Sequence, residues 1–192
     1  KYTHSVNVYG TGDIIVNGVT FHAMTSESNN NWSISNSTGV SNQTGTGDVT
    51  DTIGDVINDN YRYIVDTQTI TLSGLTIGRK YAFTLYNQAW DTDNIPKRGL
   101  ITRENDVTVA VDQNEFASTN DDGQIVEYVF TADDNTTTFQ ITPDHDSSWN
   151  IYAFTNREVW SYGSESLTSF DVTNFKSSYT SVYNTSSDWD SV

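Results

Sequence analysis

The chain contains no cysteine. That excludes disulfides, thiolate metal sites and a cysteine nucleophile, while leaving export open. It has 9 Lys and Arg against 25 Asp and Glu, a formal net charge of −16. Phosphate recognition requires basic patches, so nucleic acid is excluded as a partner, and so is an anionic membrane surface. No apolar run approaches the ~20 residues of a membrane span, so membrane insertion is not expected. The sequence begins at Lys1 without an initiator Met or a signal-peptide pattern, and reads as a mature or excised segment.

Catalytic motifs are also missing. No HExxH, GxSxG or P-loop occurs, and the three histidines, His4, His22 and His145, are scattered. GTGDII (10–15) lacks the following helix that would bind a phosphate. The expectation is a protein that is not an enzyme.

What is present is Thr, Ser, Asn and Asp, with aromatics at 12% in a chain short of Leu. Each ring buries ~150–250 Å², so aromatics can build a core here. Thr, Val, Tyr and Ile favour strands, and Asn, Asp and Gly favour turns. YTHSVNVY (2–9) alternates with period two. IIVNGVTFHAM (14–24) carries Asn17-Gly18 between apolar runs, a hairpin signal. Residues 25–50 are polar and turn-rich, with Trp32 and Ile34 available to pin them. Residues 51–60 can form one or two helical turns capped by Asp51. Strands are expected at 61–65, 69–75, 80–88, 107–112, 125–132, 137–143 and 149–159, and one more within 166–175. In 80–88, Tyr81, Phe83 and Leu85 face the core, and Thr84 and Tyr86 face outward. Turns at roughly ten-residue intervals indicate an all-β antiparallel β-sandwich or barrel.

Two motif types carry possible ligand chemistry. Asp91 and Asp93 are spaced i, i+2, as are Asp144 and Asp146, and such pairs can turn two oxygens to one side of a loop. Calcium takes ~6–8 oxygens, often from several loops. Turn formation alone also explains these residues. Trp90 with Asp91, Asp93 and Arg98 would suit a sugar, the ring meeting its apolar face and the charged groups its hydroxyls. Trp149 after Asp144 and Asp146 is a similar arrangement. The alternative is that each Trp caps the core and Arg98 pairs with a nearby Asp. The five N-x-S/T sequons, at Asn31, Asn36, Asn42, Asn135 and Asn184, are about what chance supplies in this composition.

The runs IIVNGVTF, LSGLTIGRKYAFTLYNQAWD, VDQNEF, IVEYVFTADDNTTTFQITP and WNIYAFTNREV resemble a galactose-binding-like jelly-roll module of secreted and surface proteins of environmental bacteria. GLTIGRKY, YNQAWD and YAFTNREV are the most specific pieces. The resemblance covers residues 12–159. It implies a jelly roll, an extracellular or cell-surface location, carbohydrate binding from loops at one end and a structural calcium. Asn87, Trp90 and Arg98 fall on its pattern. Residues 1–11 are then an N-terminal strand or arm, and 160–192 a C-terminal extension or linker. Two functions follow as expectations. One is a noncatalytic carbohydrate-binding or adhesive module, stabilised by calcium and recognising a polysaccharide or cell-surface glycan. The other is a structural subunit of a filament or layer that binds copies of itself through terminal strands and calcium bridges.

Overall fold

A computed structural model describes residues 1–8, 12–26, 28–29, 31–35, 40–44, 60–88, 98–104, 106, 108–112, 123–144, 149–159, 169–175 and 180–185. The described residues form strands and turns without a helix. The strands are β1 (Tyr2–Asn7), β2 (Ile14–Val16), β3 (Val19–Ala23), β4 (Trp32–Ile34), β5 (Val40–Thr44), β6 (Asn60–Ile64), β7 (Gln68–Ser73) and β8 (Lys80–Gln88). They continue as β9 (Arg98–Arg103), β10 (Val109–Asp112), β11 (Gly123–Thr131), β12 (Thr136–Pro143), β13 (Trp149–Ile151), β14 (Ala153–Glu158), β15 (Ser169–Phe175) and β16 (Thr180–Thr185). The helical turns expected at 51–60 lie outside the described residues, apart from Asn60 in β6.

Three sheets build a β-sandwich. The largest has the order β16-β15-β11-β8-β14-β1-β3-β2, the second β10-β9-β12-β7-β4, and the third β13-β6-β5. Pairing is antiparallel except between β1 and β3. The core lies between the two larger sheets. Val6, Phe83, Leu85, Val126, Tyr128 and Phe154 meet Trp32, Ile70, Leu72, Ile101 and Phe139 there. Phe83 and Phe139 stack across it with centroids 3.9 Å apart. The aromatics thus replace the missing leucines in the interior.

Period-two alternation sets which face is which. Tyr81, Phe83 and Leu85 face the core as expected. Thr84 and Tyr86 turn to the opposite face but are buried there too, which corrects the expectation that they face out. Tyr86 packs edge-on against Phe21 at 5.6 Å, within a smaller cluster that includes Val16, Tyr152 and Ala153. Burial pushes the Tyr86 phenol up to about 12. Asn17 and Gly18 both have positive φ, 49° and 76°. The β2–β3 connection is therefore the two-residue hairpin turn the Asn-Gly pair requires.

Residues 1–11 were expected as an N-terminal strand or arm. Tyr2–Asn7 form the strand β1, which lies inside the large sheet between β14 and β3. Its His4 bridges the two larger sheets. Nε2 lies 2.9 Å from the Asn31 carbonyl and 3.2 Å from the Ser73 carbonyl. Both partners are acceptors, so Nε2 carries the proton. Burial holds the His4 pKa below its ordinary value, against the two backbone hydrogen bonds that raise it. The native state therefore resists a proton that the unfolded chain accepts below pH ~6.5. This group's contribution is complete above that pH. It declines as pH falls toward the folded pKa and is constant below it. Urea titrations at pH 7.5 and pH 5 should show that decline, and His4→Gln should reduce it. An unchanged pH slope in the variant would assign the effect elsewhere.

Candidate loop-end site

β8, β10 and β12 end, and β9 and β11 begin, at the same end of the sandwich. Strand register fixes this. Asp112 pairs with Arg98 and Val111 with Gly99, Pro143 pairs with Gly99, and Gln124 pairs with Asn87. The Asp144 amide donates to the Arg98 carbonyl at 2.9 Å. Five strand ends, of β8, β9, β10, β11 and β12, therefore converge where the sequence pattern placed Asn87, Arg98 and Asp144, the two sheets being joined there by the Gln124–Asp112 hydrogen bond. Trp90, Asp91, Asp93 and Asp146 lie outside the described residues.

Below this end the interior changes character. Along β8 the core positions run Tyr81, Phe83, Leu85 and then Asn87. Along β11, read toward the same end, they run Phe130, Tyr128, Val126 and then Gln124. The last member of each series is an amide on the inward face, and the two stand opposite each other. Both are fully buried. Gln124 Nε2 reaches across the sandwich to donate to the Asp112 carbonyl at 3.2 Å. Among the described residues, Gln124 Oε1 and both side-chain polar atoms of Asn87 have no hydrogen-bond partner. A buried polar group left unmatched costs about 1–3 kcal/mol. The sequence pattern missed Gln124. Its signal is a polar residue in phase with Val126, Tyr128 and Phe130.

Arg98 sits at the rim with its side chain 47% exposed, and its Nη1 is 3.7 Å from Asp144 Oδ2. A pair this long and this hydrated contributes little to stability by itself. Trp149 behaves differently. It is fully buried within the core, which corrects the expectation of an exposed sugar platform. The alternative reading, that it fills the core, describes it. Its indole lies over Gly99: a Cβ at that position would stand 2.5 Å from Trp149 Cε3 and 2.7 Å from Cδ2. Gly99 is thus the residue that lets the ring in. Gly99→Ala should cost about 1–2 kcal/mol through overpacking, measured by urea unfolding. An unaffected midpoint would mean the strand yields freely.

Among the described residues no three Asp, Glu, His or Cys side chains converge as a metal site. Asp144 alone cannot hold calcium. A cation here would need oxygens from 89–97 and 145–148 as well.

No protein-family model matches the chain, and a search of curated proteins finds no match. Solved structures do match. One is the ANX1 ectodomain from Arabidopsis thaliana, with TM-score 0.64 and 10% identity over 88% of this chain and 48% of that one. A second is a chain of the complex of the plant peptide RALF23 with FER and LLG2, with TM-score 0.61 and 16% identity over 84% of this chain and 49% of that one. A third is a calcium-binding mutant of Bacteroides uniformis beta-glucuronidase 2, with TM-score 0.64 and 12% identity over 82% of this chain and 18% of that one. This chain spans about half the length of the plant proteins and under a fifth of the bacterial one. The fold is a β-sandwich domain shared with plant ectodomains and with part of a bacterial beta-glucuronidase. Among the described residues no helix is long and apolar enough to cross a membrane.

Proposed function

We propose that this is a noncatalytic, extracellular carbohydrate-binding or adhesive module, of the galactose-binding-like jelly-roll kind, that takes a polysaccharide or cell-surface glycan at its loop end. The observation that carries this reading is the half-exposed guanidinium of Arg98 at the rim of the loop end, with the inward amides of Asn87 and Gln124 behind it, three of whose polar atoms have no partner among the described residues. Amides and a guanidinium in this arrangement suit hydroxyl groups, which both donate and accept. The ectodomain neighbours support an extracellular setting. Trp90 in the 89–97 connection would supply the ring for a sugar face. Calcium would be held by Asp144 with Asp91, Asp93 and Asp146, and would order the connections that carry them.

Polysaccharide-retention and glycan-array assays with and without calcium test the reading. Arg98→Ala should weaken retention by roughly tenfold, about 1.4 kcal/mol. No binding to any glycan under either condition would sink it. Calcium should raise the melting temperature of the wild type and not of Asp144→Ala. The filament reading gains no such support, since donating β1 would require breaking its pairing with both β14 and β3.

A further inference from the structure

At the opposite end of the sandwich, an open cavity of about 550 Å³ is lined by Tyr2, Ser5, His22, Asn29, Asn31 and Trp32, together with Thr3 and His4. The register places it there: Tyr2 pairs with Arg157, and Arg157 pairs with Ala82 at the start of β8, whereas Asn87 lies near that strand's far end. The cavity exists because β1 and β3 pair only at Val6–His22 and Asn7–Ala23. The first half of β1 therefore has an uncovered side next to the 29–32 segment.

Among the described residues that line it there is no Asp, Glu, Lys or Arg, in a chain with 25 acidic residues. A described carboxylate beside it, Asp13, is engaged by His22 and by the Ala23 amide. What lines it is a set of neutral donors and acceptors beside aromatic rings. Tyr2 is 41% exposed. His22 Nδ1 is held 3.0 Å from Asp13 Oδ2, and Asp13 Oδ1 accepts from the Ala23 amide at 2.8 Å. The ring is thereby oriented, and among the described residues nothing hydrogen-bonds to Nε2, so it is the ring nitrogen a ligand would meet. Asn29 Oδ1 accepts from the amides of Asn31 and Trp32, which leaves the Asn29 NH2 as a donor.

An extended peptide is the competing occupant, because half of β1 is an edge. The geometry argues against it. Asn31 Nδ2 already donates to the Thr3 carbonyl at 3.2 Å, occupying an acceptor that an added strand would need. The volume falls in the range of small-ligand sites, roughly 300–1,000 Å³.

We propose that this cavity is a second ligand site, specific for an uncharged sugar residue, with Tyr2 against the apolar face and His22, Asn29 and Asn31 on the hydroxyls. It is independent of the loop-end site and would make the module bivalent, with one site at each end. Two weak sites on one domain raise avidity when both can engage one polymer or two surfaces.

The test is a ¹⁵N NMR titration of the full chain with the methyl glycosides of galactose, glucose and xylose, with methyl glucuronide as the charged arm and an alternating Thr-Val heptapeptide as the strand arm. The expected result is saturable shifts at Tyr2, His22, Asn29 and Asn31 with at least one neutral glycoside. The affinity read at those positions should fall on the order of tenfold in Tyr2→Ala, the loss of an aromatic anchor. Tyr2 is only 41% exposed, so the melting temperature of the variant is measured alongside; His22→Ala supplies a second variant at a more exposed side chain, 64%. Shifts confined to the loop end, tighter binding of the glucuronide or the heptapeptide, or no shift with any neutral glycoside would each overturn the proposal.

Discussion

Arg103→Met should lower the unfolding free energy by about 3 kcal/mol, because one buried guanidinium organises the end of the sandwich remote from the loop-end site. Arg103 Nε donates to Thr137 Oγ1 at 3.0 Å. Its Nη2 donates to Asp133 Oδ1 at 2.8 Å, and its Nη1 to Asp106 Oδ2 at 3.3 Å. Glu104 Oε2 is 3.7 Å away, and the guanidinium carbon stands 4.7 Å from the centre of the Phe130 ring. Tyr128 donates to Asp106 from the other side. Burial alone would lower the Arg103 pKa, but Glu104, Asp133 and Asp106 outweigh it and hold it above its ordinary value. Methionine keeps most of the packing volume and removes five donors at once. Asp133 is itself held below its ordinary value, by its backbone hydrogen bond and then by Arg103. That contribution is present above the unfolded carboxylate pKa and is lost as pH falls through the folded one. Acid should therefore reduce the wild type's advantage over the variant. Equal stability of the two proteins at neutral pH would show that the network only decorates the surface.

Asn87→Leu should move stability and binding in opposite directions. Leucine is similar in size and would continue the apolar series of Tyr81, Phe83 and Leu85. It removes two buried polar atoms that have no partner among the described residues, so the variant should gain about 2 kcal/mol. If Asn87 meets the ligand, glycan retention should be lost in the same protein. Such a trade is expected where a site keeps groups that the fold itself does not use. A variant that is destabilised, or that binds as well as the wild type, would remove Asn87 from the site.

Most of the strand pattern was legible in the sequence because most strands alternate plainly between core and surface. β9 was not. Its inward positions are Gly99, Ile101 and Arg103, of which only one is an ordinary core residue. Gly99 faces inward because Trp149 fills its space, and Arg103 does because acidic residues neighbour it. Neither partner is visible from β9 itself. β4 and β5 were hidden in the same way within the polar 25–50 stretch, although Trp32 and Ile34 do pin that stretch to the core. Tyr86 read as an outward residue because local alternation cannot reveal that Phe21 covers it. The place of β1 in the sheet depends on pairing with residues about 150 positions away, which no local pattern encodes.

The candidate site was legible as a set of residues more than as an arrangement. YNQAWDTDNIPKRG supplied Asn87 and Arg98, and the acidic run near 144 supplied Asp144. The strand ends bring these three together. Trp149 matched the same pattern of a ring beside carboxylates but is a core residue. Spacing alone could not separate those two outcomes, because the difference lies in Gly99 on another strand.

If the loop end binds a carbohydrate beside its inward amides, a ¹⁵N NMR titration with the glycan retained best on the array should report it at the side-chain NH2 signals of Asn87 and Gln124. Both signals should shift saturably, with the same affinity as retention, and Arg98→Ala should weaken both together. Retention of a glycan with the Asn87 and Gln124 signals unmoved would contradict binding at these amides.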